Sequence, residues 1–494
     1  MMQSSTARQE HMAAAPGSAP IARPVILFEL NEVPYRVVDW YVTSKPHCGI
    51  ARLLAISRQY KTSIETAPGG LQPIVTWSTV HRGVRDVQHG VSAFGQPLER
   101  ADSEYPPIWR ILAQHGVTTG VFGSLLSYRM PEDLANYAFY FPEPLANEPA
   151  THPSYLSPFQ EFNLSMTRKS GRQVSGAVDW KLAARIIPTL PRLGLTTGTT
   201  AVIARQLLAE RVRPHLKGRR RSVQSMLAFD VFMKQLRQSH PAFSTFFTNH
   251  VASAQHRFWA ALFPQDFTEL QYEQEWLARY KHEIEYAMDV TDSFVCRLLE
   301  FVEANPQYIL LLGSSMGQQA CNGEPNDNYL EIEDFARFMQ GLGFPPEAYA
   351  RKTAMFPCYG VSLVPEHVTA FREKIASIRI GGEPLKAEHQ DGGYSLLVFD
   401  YRNYQGRETV QLEGREVAFS QLGIRLIEDE EGTYLSGEHQ PIGILLIHDP
   451  LHHEVEHNGR EQVSVLEIAP ALLRHFGIPI PDYMADTTLD LARH

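Results

Sequence analysis

Two carboxylates bracket the end of a short apolar run in this chain, Val25-Ile26-Leu27-Phe28-Glu29-Leu30-Asn31-Glu32. Glu29 lies two residues before Asn31 and so shares its face of a strand, while Glu32 stands at the strand's exit. Either could give a divalent ion an anionic ligand. The alternatives are a hydrogen-bonded carboxylate at the edge of the core for Glu29 and a helix N-terminal charge for Glu32. A second grouping is the hydroxyl-rich stretch 72–81, with Thr76, Ser78, Thr79 and His81. An imidazole acting as general base toward Ser78 or Thr79 would make a metal-independent nucleophile. Helix N-capping by the hydroxyls and a backbone-bonded histidine account for the same residues. A third grouping is His448, Asp449, His452, His453, Glu454, Glu456 and His457. Its spacing suits adventitious metal binding, but it contains no His-Glu-x-x-His pattern, and it reads as a solvated loop.

The elements that must position these residues alternate between strand and helix. The run from Val25 has the continuous apolar character of a strand buried on both faces of a parallel sheet. Helices are expected over 34–43, 49–60 and 107–116, and strands over 119–124, 243–249, 308–315 and 443–447. Such alternation predicts an α/β fold with a mostly parallel sheet, whose ligands bind beyond the C-terminal ends of the strands. Residues 1–22 read as a disordered tail. Core segments are expected at 23–150, 236–360 and 433–494, interrupted by a helical cap or insertion at 151–235 and a small β-rich insertion at 361–432. The basic run from Arg211 to Arg221 reads as a solvated helix end, with docking to an anionic glycan, lipid headgroup or partner as the alternative.

Bulk properties narrow the function classes. The 494 residues are 44% hydrophobic and 20% charged, enough for a large core, and 45 basic residues against 55 acidic ones give a net charge of −10. That balance argues against a nucleic-acid partner. The four cysteines, Cys48, Cys296, Cys321 and Cys358, form no close pair, which suits a reducing compartment. No apolar run resembles a signal h-region or reaches the length of a transmembrane segment, so a cytoplasmic location is expected.

The stretch 25–32, the pair Thr79-Val80-His81-Arg82-Gly83 and Gln88-His89-Gly90-Val91, and the segment His256-Arg257-Phe258-Trp259 resemble, in order and spacing, the active-site segments of the alkaline phosphatase superfamily. They look most similar to its type I phosphodiesterase/nucleotide pyrophosphatase-like branch. The resemblance implies an α/β/α sandwich. It places Asn31 where the family's first strand ends in a metal-binding aspartate, and Pro73 where the nucleophile stands ten residues before Gly83. His256 matches the histidine of an Asp-x-x-x-His pair whose aspartate position is Ala252. Ser314-Ser315-Met316-Gly317 stands where an Asp-His ligand pair is usual, and His439 matches the last metal histidine.

On this resemblance the implied metal ligands are Asn31, His256 and His439, with Glu29 and Glu32 as replacement carboxylates. The implied catalytic groups are Ser78, Thr79 and His81, and the implied substrate contacts are Gln72, Thr76, Ser314 and Gln318. His89 falls at a position that is usually structural. The implied cofactor is one divalent ion, zinc or manganese, and a metal-free cleft fits the same residues equally well. The implied activity is a hydrolase or transferase acting on an anionic phosphate or sulfate ester, glycan- or lipid-linked. A catalytically inactive descendant that binds an anionic ligand or a protein partner is the alternative. The stretches around Asn31 and Trp77 also resemble a bacterial branch of the superfamily that accompanies surface-polysaccharide genes.

Overall fold

The computed structural model describes residues 22–67, 69–169, 184–270, 272–322, 328–428, 435–452 and 459–492. Residues 1–21 of the expected tail, 1–22, and residues 453–457 of the His448–His457 grouping lie outside them. The six residues of β1 (Val25–Leu30) are all buried, as a central strand covered on both faces requires. β1 is parallel to both its neighbours, β5 (Phe243–Thr248) and β6 (Ile309–Gly313). Outward from β5 lie β3 (Thr119–Phe122) and β4 (Tyr137–Phe141), also parallel. Outward from β6 come the strand Ile442–His448, then β2 (Arg58–Ser63), then Glu461–Ser464. Ile442–His448 is antiparallel to both β6 and β2. The sheet is therefore eight-stranded and mostly parallel.

Alternate residues of β1 serve opposite layers. Ile26, Phe28 and Leu30 join a core under α1 (Tyr35–Ser44), α2 (Gly49–Ala55) and the helices Arg220–Ser239, His250–Leu262 and Glu283–Ala304. Val25 and Leu27 join a core under α3 (Pro73–Arg82) and the helices Ile108–Gln114 and Ile468–His475. This is the expected α/β/α layering.

Three expectations need correction. The helix expected over 49–60 stops at Ala55, and Arg58–Ser63 forms β2 instead. Its polar sequence, Arg-Gln-Tyr-Lys-Thr-Ser, hides a strand that is mostly half-buried. The β-rich part packs as a unit that reaches further toward the N-terminus than residue 361. The strand Asn328–Ile332 pairs with Ile424–Glu428, and one hydrophobic cluster runs from Leu330 to Ile424. The basic run is also not simply solvated. Arg219 pairs with Glu283 at 2.7 Å and Arg220 with Glu210 at 2.5 Å, both acids being buried.

Candidate metal centre

Beyond Leu30 the chain leaves the sheet. Asn31 still donates its backbone N–H to Thr248 O at 3.1 Å, and Glu32 then adopts a left-handed φ of 59°. That conformation is costly for a residue with a Cβ, and strain of this kind gathers at functional sites. It leaves the Glu32 carboxylate buried and surrounded by donors. Asn31 Nδ2 donates to Oε1 at 2.7 Å, and Gln318 Nε2 donates to Oε2. His256 Nε2 lies 2.9 Å and His439 Nε2 3.3 Å from the same Oε2.

Each partner comes from a different element. His256 stands on the helix Asn249 precedes, His250–Leu262. His439 and Gln318 are register partners in the antiparallel pair Gly437–Gln440 and Gly317–Ala320. The ligand atoms of Glu32, His256 and His439 lie within 4.8 Å of one another, the one such cluster among the described residues. Burial alone would raise the Glu32 pKa, but the two imidazoles outweigh it and hold the carboxyl well below its usual range. Burial lowers the His439 pKa, and Glu32 together with the Leu71 backbone more than reverses this, leaving the ring a stronger base than usual.

The hydrogen bonds behind the rings test whether a metal fits. His256 Nδ1 faces the Gly437 carbonyl at 2.8 Å, so it carries a proton, and Nε2 is left toward Glu32. A neutral ring would then set a lone pair against a carboxylate oxygen. With acceptors on both sides, each ring must either carry two protons or share a cation with Glu32. His439 is placed likewise between Leu71 and Glu32. Two neutral imidazoles and one carboxylate with open positions suit a divalent transition ion, and backbone carbonyls behind ligand histidines are a frequent orienting device. One ion therefore fits. A second does not: Ala252 is apolar, Ser315 Oγ is bonded to Thr76 Oγ1 at 2.8 Å, and Met316 is in the core.

The remaining expected site residues are distributed differently. Glu29 does not reach the cluster; its Oε1 lies 2.7 Å from His81 Nε2, with both residues buried. His81 is thus not paired with Ser78 or Thr79. Both hydroxyls sit inside α3 rather than at its start, where Ser78 donates to Ile74 O at 2.6 Å and Thr79 to Val75 O at 3.1 Å. Thr79 also meets His89, whose pKa burial and then Arg82 push down to about 4. Asn31 touches Glu32 but directs its Oδ1 to the Trp77 indole N–H at 2.7 Å. Ser314 Oγ accepts from Val33 N–H and donates to Met316 O, shaping the turn after β6. Gln72 is exposed at the N-cap of α3, next to Leu71, while Thr76 is buried. His448 bonds Ile56 O and Asp449 bonds Arg23 and His452, away from the cluster.

Sequence reasoning missed Asn249, whose Oδ1 accepts from Asn31 Nδ2 at 2.6 Å. Its position at the C-terminal end of β5, beside the end of β1, was the available signal.

No family model matches the sequence, and no curated protein matches it. Solved structures do. Murine ectonucleotide pyrophosphatase/phosphodiesterase 5, in an inactive form with AMP, is similar at 10% identity over 93% of this chain and 96% of that one, with a TM-score of 0.40. Phosphonoacetate hydrolase from Sinorhizobium meliloti 1021, with phosphonoformate, matches at 11% identity over 92% and 96%, also at 0.40. A mutant of TAB5 alkaline phosphatase with magnesium bound matches at 8% identity over 93% and 100%, at 0.37. At these identities and scores, what this chain does must be read from its own residues.

Proposed function

We propose that the chain is a hydrolase or transferase for a phosphate or sulfate ester, with a single divalent ion, zinc or manganese, held by Glu32, His256 and His439. The observation that carries this reading is the pair of imidazoles, each with a backbone acceptor behind it and its Nε2 turned to one shared carboxylate oxygen. An ion there would polarise the ester and lower the pKa of bound water. The chain's own residues do the rest. Gln318 and Asn31 fix the carboxylate by donating to its two oxygens. The N-terminus of α3, with exposed Gln72, lies one residue from the Leu71 contact of His439 and offers positive dipole to an anionic ester. Pro73 has no nucleophilic group and the Ser78 and Thr79 hydroxyls are turned into the helix, so water is the attacking group. A glycan- or lipid-linked ester is the substrate class that joins this chemistry to the sequence resemblance.

A second reading has one observation in its favour. Glu32 receives Asn31, Gln318 and both imidazoles, so protonated rings satisfy the carboxylate without any ion. On that reading the cleft binds an anionic ligand or a partner and turns nothing over. Metal content of the purified protein, together with hydrolysis of aryl phosphate mono- and diesters and aryl sulfate, separates the two. The enzyme reading expects up to one equivalent of metal and a slow turnover that His256→Ala and His439→Ala each abolish. Turnover indifferent to both substitutions, or two tightly bound ions, overturns it.

A further inference from the structure

The helix Thr197–Val212, in the helical insertion, is inside out. Its buried side chains are Thr199, Gln206 and Glu210, which helical spacing puts on one face. They are satisfied inward: Gln206 Nε2 donates to Leu216 O at 2.7 Å, and Glu210 takes the Arg220 guanidinium. The opposite face carries Ala201, Ala204, Arg205, Leu208, Arg211 and Val212, all exposed. Leu208 is 63% and Val212 82% exposed, and Ile187, a little earlier in the insertion, is 55% exposed. Folding leaves most of this outer apolar surface in water, so the hydrophobic effect within the chain does not account for it. Grouped apolar exposure of this kind marks a contact surface.

The charge around the face says what it contacts. Between residues 184 and 221 the chain has nine basic side chains and a single carboxylate, Glu210, in a protein whose net charge is −10, and among the nine Arg185, Arg219 and Arg220 are taken by Glu161, Glu283 and Glu210. Arg205 and Arg211 share the outer face with Leu208 and Val212, and Arg213, the next residue, is exposed as well. The segment 184–221 has no Phe, Tyr or Trp, the side chains that anchor protein–protein interfaces. Leucine and valine flanked by arginines are instead the composition of a helix lying in a membrane interface, with apolar tips in the acyl boundary and guanidinium groups on phosphates.

We propose that this face of the insertion docks the protein on an anionic lipid surface. An acidic protein is repelled by such a surface except through its basic patch, so the patch also sets the orientation. The docking stands apart from the catalytic reading, because none of its residues belongs to the metal centre.

The test is co-sedimentation of the full chain with vesicles of phosphatidylcholine, with and without phosphatidylglycerol. Binding is expected only with phosphatidylglycerol and should fall as salt rises. Leu208→Asp with Val212→Asp should weaken it by about tenfold or more, with an unchanged thermal melt, since both side chains point outward. Arg205→Gln with Arg211→Gln should weaken it too and flatten the salt dependence. Turnover of a soluble ester should be the same in both double variants and in wild type. Absence of binding to phosphatidylglycerol vesicles, equal binding to neutral ones, or variants that bind like wild type would overturn the proposal. So would lipid-free self-association that Leu208→Asp with Val212→Asp abolishes, which would make the face a contact between copies.

Discussion

Placing an aspartate at the end of β1, by Asn31→Asp, should harm this protein rather than create a two-ion site. The Asn31 amide nitrogen donates to Glu32 Oε1 at 2.7 Å and to Asn249 Oδ1 at 2.6 Å. In the variant an oxygen replaces that nitrogen. Asn249 can turn its amide and donate, but Glu32 cannot, and two carboxylates would face each other in a buried site. At an effective dielectric of 20, unit charges at that separation repel by about 6 kcal/mol, an upper bound that relaxation and protonation reduce. A loss of about 3 kcal/mol or more in unfolding free energy at neutral pH is the working expectation, against about 1–3 kcal/mol for Asn31→Ala, which only strips hydrogen bonds. The sign with pH follows. A carboxyl whose folded pKa is raised keeps its proton when folded, so the deficit of Asn31→Asp relative to wild type shrinks as pH falls toward the unfolded pKa and grows as pH rises. Urea unfolding of wild type, Asn31→Ala and Asn31→Asp at several pH values, with chelator and with zinc or manganese, measures all of this. If Asn31→Asp is as stable as wild type in chelator, the contact with Glu32 is wrong. If metal restores it while two ions bind, the conclusion that Ala252, Ser315 and Met316 leave no second site is wrong.

Wild type should bind at most one zinc or manganese ion, more weakly as pH falls, because protons compete for His439, a stronger base than usual; chelator competition at two pH values checks this. Ser78→Ala and Thr79→Ala should leave turnover of any substrate intact, since both hydroxyls are bonded within α3, and abolition by either would restore them as nucleophiles. Burial pushes Glu143 up to about 8 against a backbone bond from Leu126 that lowers it. Its folded form therefore holds a proton that the unfolded chain gives up, so its contribution falls as pH rises from about 4.5 to 8 and levels off above. Glu143→Gln should flatten that part of the stability profile in thermal melts, and an unchanged slope would assign it to other groups.

The sheet's centre was legible because a strand covered on both faces favours an apolar run, and β1, β6 and Ile442–His448 have one, while β5 is marked by its aromatic and β-branched residues. β2 was not, because half-buried Arg58, Gln59 and Tyr60 give it no such run. At the site, His256, His439 and Glu32 were all named from sequence, since strand-end motifs fix which loops meet. What sequence spacing could not separate was Glu29 from Glu32. Alternation placed Glu29 on the face of Asn31, correctly, but that face looks into the layer under α3 rather than out at the exit. The left-handed turn at Glu32, which swings its carboxylate to the histidines, depends on backbone geometry that no residue type announces.

That shared face explains how the end of β1 is held in place. Glu29 on β1 and Asn31 just past its end, two residues apart, bond His81 and Trp77, four apart on α3. A strand's period of two and a helix's turn thus meet in two buried polar bonds. The two rings stack, with centroids 5.5 Å apart and planes at 28°, and Trp109 closes on the far side of His81 at 4.6 Å. Polar pairs in a low-dielectric layer fix register, because any slip leaves buried groups unpaired. α3 is therefore locked to the end of β1, and Asn31 extends the lock to Glu32 through its amide nitrogen, which donates to Oε1. The helix that presents a nucleophile in the resembling family serves here as a buttress for the one carboxylate both histidines share.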